Sequence, residues 1–401
     1  MEKMMMIEEE VVIVGGGIAG LATALALKKV GVRSLVLERA SELRLSGAAL
    51  VLSSNAWTAL EALGIAHKLA AGYLPYKKTY LINVATGVER TGFLVGTQGG
   101  SAWLSDGPRS VHRKALLEAL AEELPADTIR FSSKLISIET KHDCTIIVLI
   151  GCDGVHSIVA KWFGLKDGVC SGRASVYGIA AYSEGHGLEH VPLQFIHTGK
   201  RFGVFPITET DIYWFIDGDF SNADPRVIQE NVLERVANFP KIVHDVLQHA
   251  DMTTLIRSPL KFRYPWDVVF GCVSKGTITV AGDALHPMTP DLGQGGCAAL
   301  EDAVVLGRHI GNSYIRHGGK LCDRDLETEL KMYVKERRWR SASLISASYF
   351  AGWVQQGGSG GAGWLVNFFR DKIYYKFLHR RIGSFISYDW KVAYCIRIFW
   401  L

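Results

Sequence analysis

Three stretches of this 401-residue chain combine residue types suited to holding a nucleotide. The first, Gly15-Gly16-Gly17-Ile18-Ala19-Gly20, contains the spacing GxGxxG. Gly15 permits a tight turn, Gly17 lets the backbone approach a pyrophosphate, and Gly20 lets a helix pack closely on a strand. The helix opening at Ile18 and Ala19 turns free N–H groups and the positive end of its dipole toward the phosphates. Glu38, 18 residues beyond Gly20, stands where an acid accepts hydrogen bonds from a ribose 2′-OH. A carboxylate there disfavours a 2′-phosphate, which selects FAD or NAD over NADP. The second stretch is Asp153-Gly154, after an apolar run at 148–150. The third is Gly282-Asp283-Ala284, followed by Pro290 and Gly293-Gln294-Gly295-Gly296, then a helical pattern carrying Glu301 and Asp302. A strand ending in Asp-Gly is an ordinary turn by itself; the order of all three carries the information. Gly358, Gly360 and Gly363 repeat the glycine spacing without a preceding buried strand or a following acid, and read as a loop.

Strands and helices must position these residues. Residues 11–14 are wholly apolar, as expected of a parallel strand buried on both faces. A helix to Gly31 and a strand over 34–37 complete a βαβ unit. Helices are expected over 55–63, 111–124 and 296–310, and the chain beyond Asp323 reads as mostly helical. Residues 80–95 and 176–216 alternate, are rich in aromatics and read as antiparallel strands of a separate sheet. Between Ser137 and Ile150 two strands are joined by very few residues, so a short hairpin and a missing loop both stay open.

Composition narrows the classes. A net charge of +4 over both signs, with no basic run interleaved with aromatics, argues against nucleic acid. The basic run Lys335 to Arg340 reads as a solvated helix face. Seven cysteines without a CxxC pair suit a reduced, cytoplasmic protein with no metal site. No secretory signal is evident, and no stretch approaches the roughly 18 apolar residues of a transmembrane segment. The aromatic and basic tail at 364–401 reads as packing over the nucleotide domain or a substrate mouth rather than on a membrane.

Together the motifs resemble those of the group A FAD-dependent monooxygenases, the para-hydroxybenzoate hydroxylase-like family. They are most similar to its branch of salicylate hydroxylases, zeaxanthin epoxidases and plant monooxygenases. The resemblance implies an α/β (α+β) fold: a Rossmann-like FAD domain of the glutathione-reductase type, an inserted antiparallel-sheet substrate domain and a helical C-terminal region. The boundaries expected are 1–70, 100–172 and 268–312 for the FAD domain, 71–99 and 173–267 for the sheet domain, and 313–401 for the last region. It implies non-covalent FAD, NADPH or NADH docking transiently as reductant, and O2 as co-substrate. A flavin C4a-hydroperoxide would deliver one oxygen atom to a small aromatic or terpenoid/alkaloid-like substrate. By the same resemblance, Glu38 and Arg39 serve the adenosine ribose, and Arg113 lies near the flavin phosphates. Asp153 and Gly154 close the site, and Asp283 holds the ribityl chain. Pro290 and Gly293 to Gly296 flank the isoalloxazine ring, and Arg44 lies on a loop near it. Lys161 stands where the family carries an arginine, and Cys297 where many relatives carry a small polar residue. A second dinucleotide fold for NAD(P)H is not evident.

The substrate sheet is expected to include Phe195, His197, Arg201, Phe205, Tyr213 and Trp214. Alternation puts Tyr213 and Phe215 on one face and Trp214 on the other. Tyr213, His197 and Arg201 are the candidate catalytic residues; His286 is expected to support its loop. A reductase of the geranylgeranyl-reductase type and a catalytically silent regulatory flavoprotein remain alternatives. A halogenase is disfavoured because no WxWxIP follows the first domain. Monomer and homodimer both stay open.

Overall fold

Val11–Val14 is buried at every position and is flanked by parallel strands on both sides, Leu35–Leu37 and Val148–Gly151. The computed structural model describes residues 10–44, 49–93, 107–139, 148–218, 220, 225–250, 255–356, 366, 368–370, 373 and 374. Its six-stranded sheet runs Ser274–Lys275, Ile278–Val280, Val148–Gly151, Val11–Val14, Leu35–Leu37, Ile129–Arg130, parallel throughout except for the first pair. Helices Ile18–Lys29 and Gly295–Arg316 pack together against it, so the glycine loop and the Asp283 turn meet at the same end of the sheet.

A seven-stranded sheet forms the second layer, in the order Ile256–Phe262, Val169–Ala181, Asp211–Gly218, Lys200–Pro206, Leu193–His197, Lys78–Asn83, Glu89–Phe93. The expectation of uniformly antiparallel pairing fails at one place: Leu193–His197 runs parallel to Lys78–Asn83. Between those strands the chain crosses back through the nucleotide layer, a connection long enough for parallel pairing. Helices Pro225–Arg235 and Lys241–Gln248 cover one face, where Val232, Val236 and Val243 bury Phe195, Phe202 and Trp214. The other face looks toward the nucleotide layer.

Residues 111 and 112, expected to be helical, end the strand Arg109–His112, which pairs with Ala49–Leu52; the helix starts at Arg113. Ser137 to Glu139 lie in no strand, and residues 140–147 lie outside the described residues, as do 358–363 and most of the tail. The last long helix, Asp323–Gln356, corrects the reading of its basic run: only Lys335 and Trp339 in that run are exposed, and Arg337 is fully buried. Periodicity could not show that Glu301 and Asp302, on the neighbouring helix, face it. Among the described residues no helix is long and apolar enough to cross a membrane.

Candidate active site

The three motif glycines behave differently. Gly15 adopts φ +107°, and a Cβ there would stand 2.4 Å from the Cys152 carbonyl oxygen. At Gly20 a Cβ would lie 1.9 Å from the Gly15 carbonyl oxygen, so helix and loop touch. Around Gly17 nothing lies within 4 Å of a Cβ. Protein fills two of the positions, and the third opens onto free space at a helix N-terminus, which fits a pyrophosphate. Gly17→Ala is therefore expected to leave the melting temperature of the FAD-free protein near wild type and to weaken FAD binding ~10-fold, about 1.4 kcal/mol. Titration of the apoprotein checks this; unchanged affinity would show that the space is not binding space.

Glu38 ends its strand only 2% exposed. Its Oε2 accepts from the Gly16 N–H at 2.7 Å, and its Oε1 from the Ala40 N–H at 2.9 Å. A carboxylate has about four lone-pair positions, so hydroxyls of a ribose can still be accepted. Arg39 is exposed beside it. Arg44 sets its Nε 3.6 Å from Glu38 Oε1, with its side chain half exposed. Arg113 donates from Nη1 to the Arg44 carbonyl at 2.6 Å, which joins the two arginines. Burial lowers the Arg113 pKa, and the Arg44 charge adds to the effect.

Asp283 is exposed, yet the surrounding protein pushes its carboxyl above the usual range, with His286 and Arg113 pulling the other way. Both hold for an acid that protein surrounds on most sides while one side stays open to solvent. A Cβ on Gly295 would have Asp283 Oδ1 as its nearest neighbour at 3.9 Å, so the N-terminus of the 22-residue helix Gly295–Arg316 opens onto the same space. Pro290 begins a 3-10 turn, and Gly293 follows at φ +63°. Gln294 is fully buried, accepting from Asn55 Nδ2 at 3.0 Å and donating to Ser53 Oγ at 3.2 Å. What this loop offers a ring is therefore backbone N–H groups rather than that side chain. Asp153 accepts from the Ile158 N–H at 2.7 Å and holds its turn with Gly154 at φ +82°, against Gly15. Lys161 pairs with Asp167 on the surface at 3.1 Å. Burial pushes the Cys297 thiol up to about 12, so it stays protonated. The open space at Gly17, with Glu38, Asp283 and the helix end at Gly295, forms a cleft whose residues fit FAD.

The sheet face over that cleft carries Tyr177, Phe205, Tyr213 and Phe215, with Tyr213 6.3 Å from Tyr177 and 6.1 Å from Phe205 by ring centroid. Burial raises the Tyr177 pKa while the Arg113 cation pulls it back, which places this face near Arg113. Burial raises the Tyr213 pKa far above its ordinary value, so its hydroxyl remains a donor. Phe195 and His197 are corrections to the expected wall: Phe195 sits with Trp214 in the helix-covered core, and the His197 ring lies 6.2 Å from Phe239 of that core. The structure puts Tyr213 and Arg201 on the same sheet face and leaves His197 on the opposite one.

Arg201 is buried and pairs with Asp217, with Nε and Nη2 each 3.1 Å from Oδ2. It also packs over the Phe215 ring at 4.8 Å, donates to Gln355, and approaches Asp291 at 3.8 Å. Asp291, between Pro290 and Gly293, receives a two-pronged pair from Arg173 at 3.0 and 2.8 Å. Burial pushes Asp291 up, but Arg173 and Arg201 outweigh it and hold its carboxyl below the usual range. Asp217 stays above that range because burial outweighs Arg201. Sequence reasoning missed Asp291, Arg173 and Tyr177; the available signal was an acid inside a glycine loop that contains no basic partner.

The sequence family described as the FAD binding domain matches residues 8–145 and 147–348. The chain is 37% identical to Monooxygenase 2 of Arabidopsis thaliana over 95% of its own length and 97% of that protein. Among solved structures, HpxO of Klebsiella pneumoniae in complex with FAD and uric acid aligns with a TM-score of 0.78 at 21% identity, covering 96% of this chain and 99% of that one. A salicylate hydroxylase in a substrate complex aligns at 0.72 and 20% identity, covering 97% of each. These two structural likenesses concern the fold.

Proposed function

The chain belongs to the group A FAD-dependent monooxygenases, and from that premise we propose that it places one oxygen atom of O2 on a small aromatic substrate, at the expense of NADH or NADPH. The observation that carries the substrate class is the face of Tyr177, Phe205, Tyr213 and Phe215, an apolar wall with few polar groups above the cofactor loops. Bound FAD supplies the electron transfer and the oxygen activation.

The chain's own residues bind, orient and manage protons. Gly17 and the first turn after it would hold the pyrophosphate, Glu38 the adenosine ribose and Asp283 the ribityl hydroxyls. Backbone N–H groups at Gly295 and Gly296 would favour negative charge on the ring edge. The Tyr213 hydroxyl and the Arg201 guanidinium are donors for a phenolic or enolic oxygen, whose negative charge activates the ring for attack. Asp291 keeps Arg173 and Arg201 in place, joining the cofactor loop to the substrate wall.

NAD(P)H oxidation is measured with a panel of phenolic acids and alkaloid-like aromatics, and the product of the best substrate is weighed after reaction under isotopically labelled O2. One labelled oxygen atom in the product is expected. An unlabelled product, or equal turnover without oxygen on an artificial electron acceptor, would move the assignment to a reductase.

A further inference from the structure

The buried member of the basic run faces two acids on the helix Gly295–Arg316. Arg337 donates from Nε to Asp302 Oδ1 at 2.6 Å, from Nη1 to Glu301 Oε2 at 2.6 Å and from Nη2 to the Ala298 carbonyl at 3.2 Å. From each acid a chain of contacts runs to a different cofactor loop. Asp302 Oδ2 accepts from the Gly282 N–H at 2.8 Å, immediately before Asp283, and from His286 Nε2 at 2.6 Å. Glu301 Oε1 accepts from Asn55 Nδ2 at 2.6 Å, and the same Asn55 nitrogen donates to Gln294 Oε1 at 3.0 Å, inside the glycine loop.

We propose that Arg337 is a positioning residue for FAD: one guanidinium fork, working through Asp302 and through Glu301–Asn55–Gln294, sets the Asp283 turn and the glycine loop at a fixed separation. The proposal rests on those two loops facing FAD. Burial opposes ionisation of both acids. Arg337 and Arg340 overcome it at Glu301, and His286 and Arg337 overcome it at Asp302, so both carboxyls lie below the usual range. Ionised acceptors make short, directional bonds, which is what a spacing device requires. A lysine could reach one acid but not both, because only the planar fork presents parallel donors. Buried ion pairs of this kind add little net stability over apolar packing, so position is the better account of their presence.

R337K, N55A and the double variant test this in apoprotein and holoprotein, by FAD titration, visible circular dichroism of the bound flavin and melting. Each single variant is expected to weaken FAD binding ~10-fold, about 1.4 kcal/mol, and to change the flavin dichroism. The double variant should bind FAD no worse than R337K alone, since both changes cut one chain. FAD affinity within about twofold of wild type in R337K, or losses that multiply in the double variant, overturns the proposal. If R337K gives no soluble protein, E301Q combined with N55A forms the same cycle with the same two outcomes. Gly295→Val separates the proposal from its premise. Full FAD affinity in that variant shows that the loop does not face FAD and removes both. Lost affinity there with wild-type affinity in R337K removes only the positioning role.

Discussion

Glu38→Ala is expected to raise the dissociation constant for FAD by ~100-fold while leaving turnover at saturating FAD close to wild type. Each hydrogen bond to a charged acceptor is worth about 1.5–3 kcal/mol, so loss of the ribose contacts is expected to cost about 2.8 kcal/mol. Under the proposed placement the carboxylate would serve the adenosine end and not the ring, so chemistry should be spared. A second loss accompanies the first. The buried Gly16 N–H loses its acceptor, so the apoprotein should also melt earlier. Glu38→Gln separates the two effects: its amide oxygen can still accept from Gly16, while the charge presented to the ribose is gone. Apoprotein stability should return with Gln and FAD affinity only in part. Wild-type FAD affinity in Glu38→Ala would show that the ribose sits elsewhere.

Local spacing explains how much of this was legible beforehand. The roles given to Gly15, Gly17 and Gly20 follow from steric demands within six residues, and the structure shows two tight contacts and one open space where those demands place them. Strand parity likewise put Tyr213 and Phe215 on one face and Trp214 on the other. Parity does not carry across strands, however. Register does, and Ile196, not His197, is paired with Arg201 and shares its face. That one-residue offset moves His197 under the helices, and only the turn joining the strands determines it. Charges show the same limit. Arg173 and Asp291 meet across 118 residues, and Arg337 meets Glu301 across 36. An arginine in a helical run looks solvated until its partner is known, because burial of a charge depends on a residue that local periodicity does not contain.

Arg201→Met is expected to lower kcat/KM ~100-fold on the best aromatic substrate with FAD still bound. A lost charge-assisted bond to a developing oxyanion costs about 1.5–3 kcal/mol, and the upper end applies in a site this buried. The fold should survive. Asp291 keeps both bonds from Arg173. Asp217 loses its main cation, but its carboxyl already lies above the usual range through burial and takes up a proton more readily once Arg201 is gone. The sign of the pH effect follows. An acid whose folded pKa is raised binds a proton more readily when folded, so its favourable contribution is full at low pH and is lost as pH rises through the folded value. Removing Arg201 moves that value further up. The melting-temperature deficit of Arg201→Met relative to wild type should therefore be small near the ordinary carboxylate range and widen as pH rises above it. Arg201→Lys restores a charge to Asp217 without the planar fork, so stability should recover while kcat/KM stays low. Wild-type kcat/KM in Arg201→Met would mean that the substrate oxygen lies away from this corner of the sheet.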